Sequence, residues 1–134
     1  MRKLVKRGIL SKFNQVFRRL KPFNRRQDER FIPLHPLECV YTKVGQGGDF
    51  SVSVMDISKG GLLLATGEDK IYPSTEVEMR FQLPNCQEAI YICGKIVRTY
   101  RWKEIAQYFS GVKFLNREDQ GIKLVLDFAL DKAI

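Results

Sequence analysis

Thr75-Glu76-Val77-Glu78-Met79-Arg80-Phe81 alternates without a break, apolar or β-branched at Thr75, Val77, Met79 and Phe81 and charged at Glu76, Glu78 and Arg80. A period of two places these sets on opposite faces of an extended chain, the pattern of an antiparallel strand buried on one side only. Working outward, other runs rich in Val, Ile, Tyr, Phe and Thr give strands at about 37–44, 50–57, 62–66, 75–83, 89–100 and 105–115. Six short strands with no helix between them predict a mainly β fold, a six-stranded antiparallel β-barrel. Gly45-Gln46-Gly47-Gly48-Asp49 reads as the first hairpin loop. Its glycines match neither the P-loop nor the dinucleotide fingerprint, so turn chemistry explains them better than a phosphate cradle.

Helical spacing returns after the last strand. Asn116 is the expected N-cap, Glu118 and Asp119 fall in the first turn, and Ile122, Val125, Leu126 and Ala129 share one face. This C-terminal helix is expected to plug or cover the barrel. Before the first strand, residues 22–36 form a polar linker punctuated by Pro22, Pro33 and Pro36. Residues 1–21 form an arm in which Val5, Ile9, Phe13, Val16 and Leu20 make the apolar stripe of an amphipathic α-helix. The expected organisation is an arm at 1–21, a linker at 22–36 and a barrel with its helix at 37–134.

The 134 residues suit one compact domain and exclude a multidomain enzyme. Lys and Arg number 23 against 15 Asp and Glu, a net charge of +8, but the excess is local. Residues 1–26 hold ten basic groups and no acid, which leaves 13 basic and 15 acidic groups beyond them, a net of −2. The chain is a cationic arm on a mildly acidic body. Cys39, Cys86 and Cys93 cannot all pair, and none has C-x-x-C spacing. They read as reduced thiols of a cytoplasmic protein. No apolar run is long enough for a membrane span.

Catalysis finds little material. His35 is the only histidine and sits between prolines, without Cys or carboxylates at ligand spacing. Ser51, Ser53, Ser58 and Ser110 lack a nucleophile-elbow context and have no second histidine to activate them. Neither an enzyme, a metal site nor a cofactor is expected. Two other constellations remain. Arg26 and Arg30 form R-x-x-x-R, preceded directly by Arg25, so three guanidinium forks lie within six residues of linker. Each fork fits a phosphate or the O6/N7 edge of guanine. The second constellation, Asp56-Ile57-Ser58-Lys59-Gly60-Gly61, closes one strand and opens the turn into Leu62. Alone, it is an ordinary turn in which Asp and Ser bond neighbouring backbone.

In this order and on this barrel, the two constellations resemble the signature of the PilZ domain family, R-x-x-x-R followed by D/N-x-S-x-x-G. Arg26 and Arg30 match the first half, and Asp56, Ser58 and Gly61 match the second. The resemblance spans roughly residues 22–130, including Gly111-Val112-Lys113-Phe114. It implies a bacterial receptor for cyclic di-GMP, with Arg25, Arg26, Arg30, Asp56, Ser58, Gly60 and Gly61 at the ligand. Arginines suit two phosphates and the guanine acceptors, Asp56 can accept from guanine N–H groups, and the glycines admit close backbone approach. A bonding residue at Arg25 implies, by the same resemblance, an intercalated dimer of the messenger.

Half the implied site lies on the barrel and half on the linker, so ligand is expected to staple the two and reposition the arm. The arm would then signal to a protein effector or to a second copy, or rest on the anionic surface of the inner membrane. Two other functions compete: a nucleic-acid-binding barrel with a cationic arm, and a PilZ-like adaptor that binds no nucleotide. The acidic body and the absence of an RNA-binding aromatic signature weigh against nucleic acid. The intact motifs weigh against the adaptor.

Overall fold

A computed structural model of the protein describes residues 29–130. The expected arm helix, Arg25 and Arg26 lie outside the described residues. Six strands appear: β1 (Glu38–Lys43), β2 (Gly47–Ile57), β3 (Gly61–Gly67), β4 (Glu76–Phe81), β5 (Ile90–Trp102) and β6 (Gln107–Phe114). They close into an antiparallel barrel in the order β1-β2-β3-β6-β5-β4, followed by the helix α1 (Gln120–Ala129).

β4 shows why the sequence closes this way. Val77, Met79 and Phe81 are fully buried, whereas Glu76, Glu78 and Arg80 are exposed. The strand is hydrogen-bonded on both edges, to β1 and to β5. Inside the barrel these side chains meet Tyr41, Ile57, Leu62, Leu64, Ile92, Ile96, Val112 and Phe114. Each large apolar side chain removed from water contributes about 1.5–3 kcal/mol, so the interior carries most of the driving force for closure. Ile122, Val125, Leu126 and Ala129 of α1 belong to the same cluster, and the helix therefore plugs the barrel with the face the spacing predicts. Two glycines permit the strands their closeness. A Cβ on Gly61 would stand 2.1 Å from the Val112 carbonyl oxygen, and one on Gly94 would stand 2.3 Å from a Val112 methyl.

Several local expectations need correction. The first turn is confined to Val44–Gln46, with Gly45 at φ +83°, while Gly47, Gly48 and Asp49 already belong to β2. β6 starts at Gln107 because Lys103–Ile105 form a 3-10 turn that ends on Ala106 in the left-handed region, at φ 48°. Asp119, and not Asn116, caps α1, its carboxylate accepting from the Gly121 N–H at 2.8 Å. Asn116 instead accepts from the Glu118 N–H at 3.1 Å and so makes the turn before the helix. Cys39 is buried, Cys86 half-buried and Cys93 exposed, all as free thiols. Burial pushes the Cys39 thiol up to about 12.

A second apolar cluster, Met55, Leu63 and Phe109, is buried on the outer face of the barrel, flanked by Ala65, Tyr100, Trp102 and Ile105. Among the described residues no helix is long and apolar enough to cross a membrane.

Candidate functional site

The site begins with a break in alternation. Val54 and Ile57 both face the core although they are three residues apart, which a regular strand forbids. The register of β2 against β3 shifts between Val54 and Asp56, making Met55 the extra residue of a β-bulge. The bulge turns Asp56 outward to pair with Leu63. In an unbroken strand its carboxylate would share the inward side with Val54.

The linker comes to this carboxylate along the neighbouring edge. β1 accompanies β2 only as far as Ser53, opposite Glu38. Beyond it the Val54 N–H donates to the Leu37 carbonyl at 2.8 Å, and Phe31 bridges Ile57 through two hydrogen bonds of 2.9 Å each. The Leu34 N–H reaches the Ala129 carbonyl at the end of α1, also at 2.9 Å. Four backbone bonds thus hold the segment before β1 against β2 and α1. Arg30 stands next to the Phe31 bridge, and its Nη1 donates to Asp56 Oδ1. The pair is withdrawn from water, the side chains being 6% and 0% exposed. Asp56 Oδ2 is buried and has no hydrogen-bond partner among the described residues. Burial pushes the Asp56 carboxyl up to about 6, against the opposing pull of the Arg30 guanidinium.

Ser58 closes the strand end. Its Oγ accepts from the Gly60 and Gly61 N–H groups, at 3.2 Å each, and its own N–H donates to the Gly61 carbonyl at 2.8 Å. The Gly60 carbonyl accepts from Phe114 N–H of β6 at 2.9 Å. The structure therefore brings Arg30, Asp56, Ser58, Gly60 and Gly61 to one end of β2. Within that set, Ser58 organises the turn, and the bare Gly61 answers a close approach by β6. His35 is an exposed loop residue whose ring lies 5.8 Å from that of Phe128, and among the described residues no group of three His, Cys, Asp or Glu side chains could hold a metal.

The sequence reading missed what lies across the barrel face from Asp56. Leu63 pairs with Gly111 of β6, and Gly111 pairs with Arg98 of β5, so the four form one cross-strand row. Tyr100 stands two residues along from Arg98 on the same face. Burial raises its hydroxyl above the usual tyrosine range; Arg98 and Arg30 pull it down, and Asp56 adds to the rise. The alternation of β5 alone would have sent Arg98 inward with Ile96.

A family model, PilZ domain, matches residues 24–130. The chain belongs to the PilZ domain family. Solved PilZ structures share its fold at low identity. The PilZ domain of Escherichia coli YcgR with c-di-GMP superposes at a TM-score of 0.60 and 15% identity, covering 81% of this chain and 91% of that one. The K. pneumonia MrkH–c-di-GMP complex gives 0.61 and 20%, over 81% of this chain and 54% of that one. The Bacillus subtilis inhibitor of motility MotI/DgrA gives 0.60 and 13%, over 81% and 51%. The chain thus spans about half the length of the last two and nearly all of the isolated YcgR domain. No curated protein matches the sequence.

Proposed function

We propose that this PilZ domain is a receptor for cyclic di-GMP that binds its ligand between the Arg25–Arg30 segment and the Asp56–Gly61 turn. One observation carries the reading: Arg30 of the first motif rests on Asp56 of the second, and the carboxylate keeps a buried oxygen with no hydrogen bond. A buried acceptor left unmet is costly, and a guanine N–H donor would satisfy it. The arginine fork beside it suits a phosphate or the guanine Hoogsteen edge. Family membership supports this, as do similar folds solved with c-di-GMP. The role is binding without a chemical step.

Arg25 and Arg26 lie five and four residues before Arg30 in the sequence and would add two forks, enough for an intercalated ligand dimer. The arm at 1–21 is the proposed output: its linker enters the site, so ligand would change the arm's contacts with a protein effector, a second copy or an anionic membrane surface. Calorimetric titration of the full chain with cyclic di-GMP tests the reading. Binding with two ligands per chain is expected, and Arg30→Ala and Asp56→Ala should each weaken it by about 1.5–3 kcal/mol. A wild-type chain that gives no binding heat at micromolar ligand overturns it.

A further inference from the structure

Of the four register shifts in this barrel, two turn a charged residue onto the same stretch of outer face. In β2 the extra Met55 turns Asp56 outward; in β5 the register against β6 shifts between Ile96 and Arg98, and Arg98 turns outward likewise. The row Asp56–Leu63–Gly111–Arg98 then runs over three strand spacings, about 14 Å, with the acid at one end and the guanidinium at the other. Between them lie a leucine and a residue without a side chain.

Nothing in the fold demands glycine at position 111. Its φ is not in the left-handed region, and a Cβ there would meet its nearest atoms, Arg98 Cβ and Val97 Cγ2, at ordinary distances of 3.7 and 3.8 Å. Gly61 and Gly94, by contrast, would collide with β6. What the bare Gly111 does allow is for the Arg98 stem, whose Cγ comes within 4.0 Å of that point, to lie across β6. Neither the Arg30–Asp56 nor the Lys43–Asp69 ion pair includes Arg98. A half-buried guanidinium with no carboxylate paired to it among the described residues, placed by a bulge on the row of a buried acid, is poorly explained by stability alone.

We propose that Arg98, lying across Gly111, is a further ligand-binding residue that closes the far end of the site and contacts a phosphate or guanine edge of the bound cyclic dinucleotide. This rests on the cyclic di-GMP reading above. Tyr100, which responds to Arg98, Arg30 and Asp56 together, borders the same space.

The test is calorimetry on the full chain with cyclic di-GMP, at two salt concentrations. Arg98→Ala should weaken binding at least about tenfold, equivalent to about 1.4 kcal/mol, and flatten the salt dependence, with the unliganded thermal midpoint within about two degrees of wild type. Arg98→Lys should keep the salt dependence but recover only part of the affinity, because an ammonium lacks the fork. Arg101→Ala, which removes the same charge from an exposed residue lying over Tyr108, should bind like wild type. Wild-type binding with Arg98→Ala and Arg98→Lys both within threefold overturns this inference alone, as does an equal loss in Arg101→Ala. Absence of wild-type binding overturns the cyclic di-GMP reading and this inference with it.

Discussion

At the scale of single residues, Arg30 and Asp56 depend on each other more than surface ion pairs do, since both are nearly sealed from water. Removing Arg30 at pH 7 takes the counter-charge from a buried carboxylate, which must then stay uncompensated or take up a proton. Arg30→Ala is therefore expected to lower unfolding free energy by about 3 kcal/mol at pH 7. The loss should shrink markedly at pH 5, where Asp56, with its carboxyl near 6, is mostly protonated. Chemical denaturation at the two pH values checks this; an equal loss at both would show that the pair acts through packing. Gly61 makes a different kind of demand. Its neighbour is a backbone carbonyl at 2.1 Å from any added Cβ, which no rotamer change can relieve. Gly61→Ala should cost about 3 kcal/mol, at the upper end of overpacking penalties, by prising β3 from β6. A thermal midpoint equal to wild type would contradict it. Loss of ligand binding in such a variant would report on the barrel before it reported on the ligand.

At the scale of elements, the strand alternation and the helix face were legible because each is a periodic signal: every buried position of α1 and the inward set of β4 could be named from spacing. The site was legible only by its residue types. Its geometry depends on two bulges, and a bulge is a one-residue break in period that neither Ser51-Val52-Ser53-Val54-Met55-Asp56 nor Ile96-Val97-Arg98 announces. The segment before β1 was expected as a linker, yet its placed part holds to the barrel through the Phe31, Ile57 and Leu34 amides. Those few bonds, lacking a wide ladder around them, are the ones ligand should reinforce. Amide exchange on residues 1–36 should slow at Phe31 and Leu34 when cyclic di-GMP is added, and β4 amides should not change. Equal protection with and without ligand would refute the proposed stapling of this segment.

At the scale of the whole molecule, one carboxyl couples folding and binding to pH in opposite directions. Asp56 holds its proton more tightly in the folded chain than in the unfolded one, at about 6 against 3.8. Its contribution to stability is therefore fully present below about 4, declines as pH rises to about 6 and is level above that. A ligand N–H needs the ionised form, so affinity should rise by up to tenfold per pH unit until about 6 and then plateau. Titrations from pH 5 to 8 should show this profile in wild type and lose it in Asp56→Asn. A flat wild-type profile would mean that Asp56 does not exchange its proton on binding. The closed barrel sets a further condition on anything that reads its occupancy. Each strand pairs on both sides over part of its length, but β4 follows β5 only as far as Lys95 and β3 joins β2 only from Ser53, so residues 97–102 and 47–52 each keep one edge with no strand beside it among the described residues. An incoming polypeptide can extend the sheet only along those two stretches, and around the rest of the barrel wall recognition falls to outward side chains.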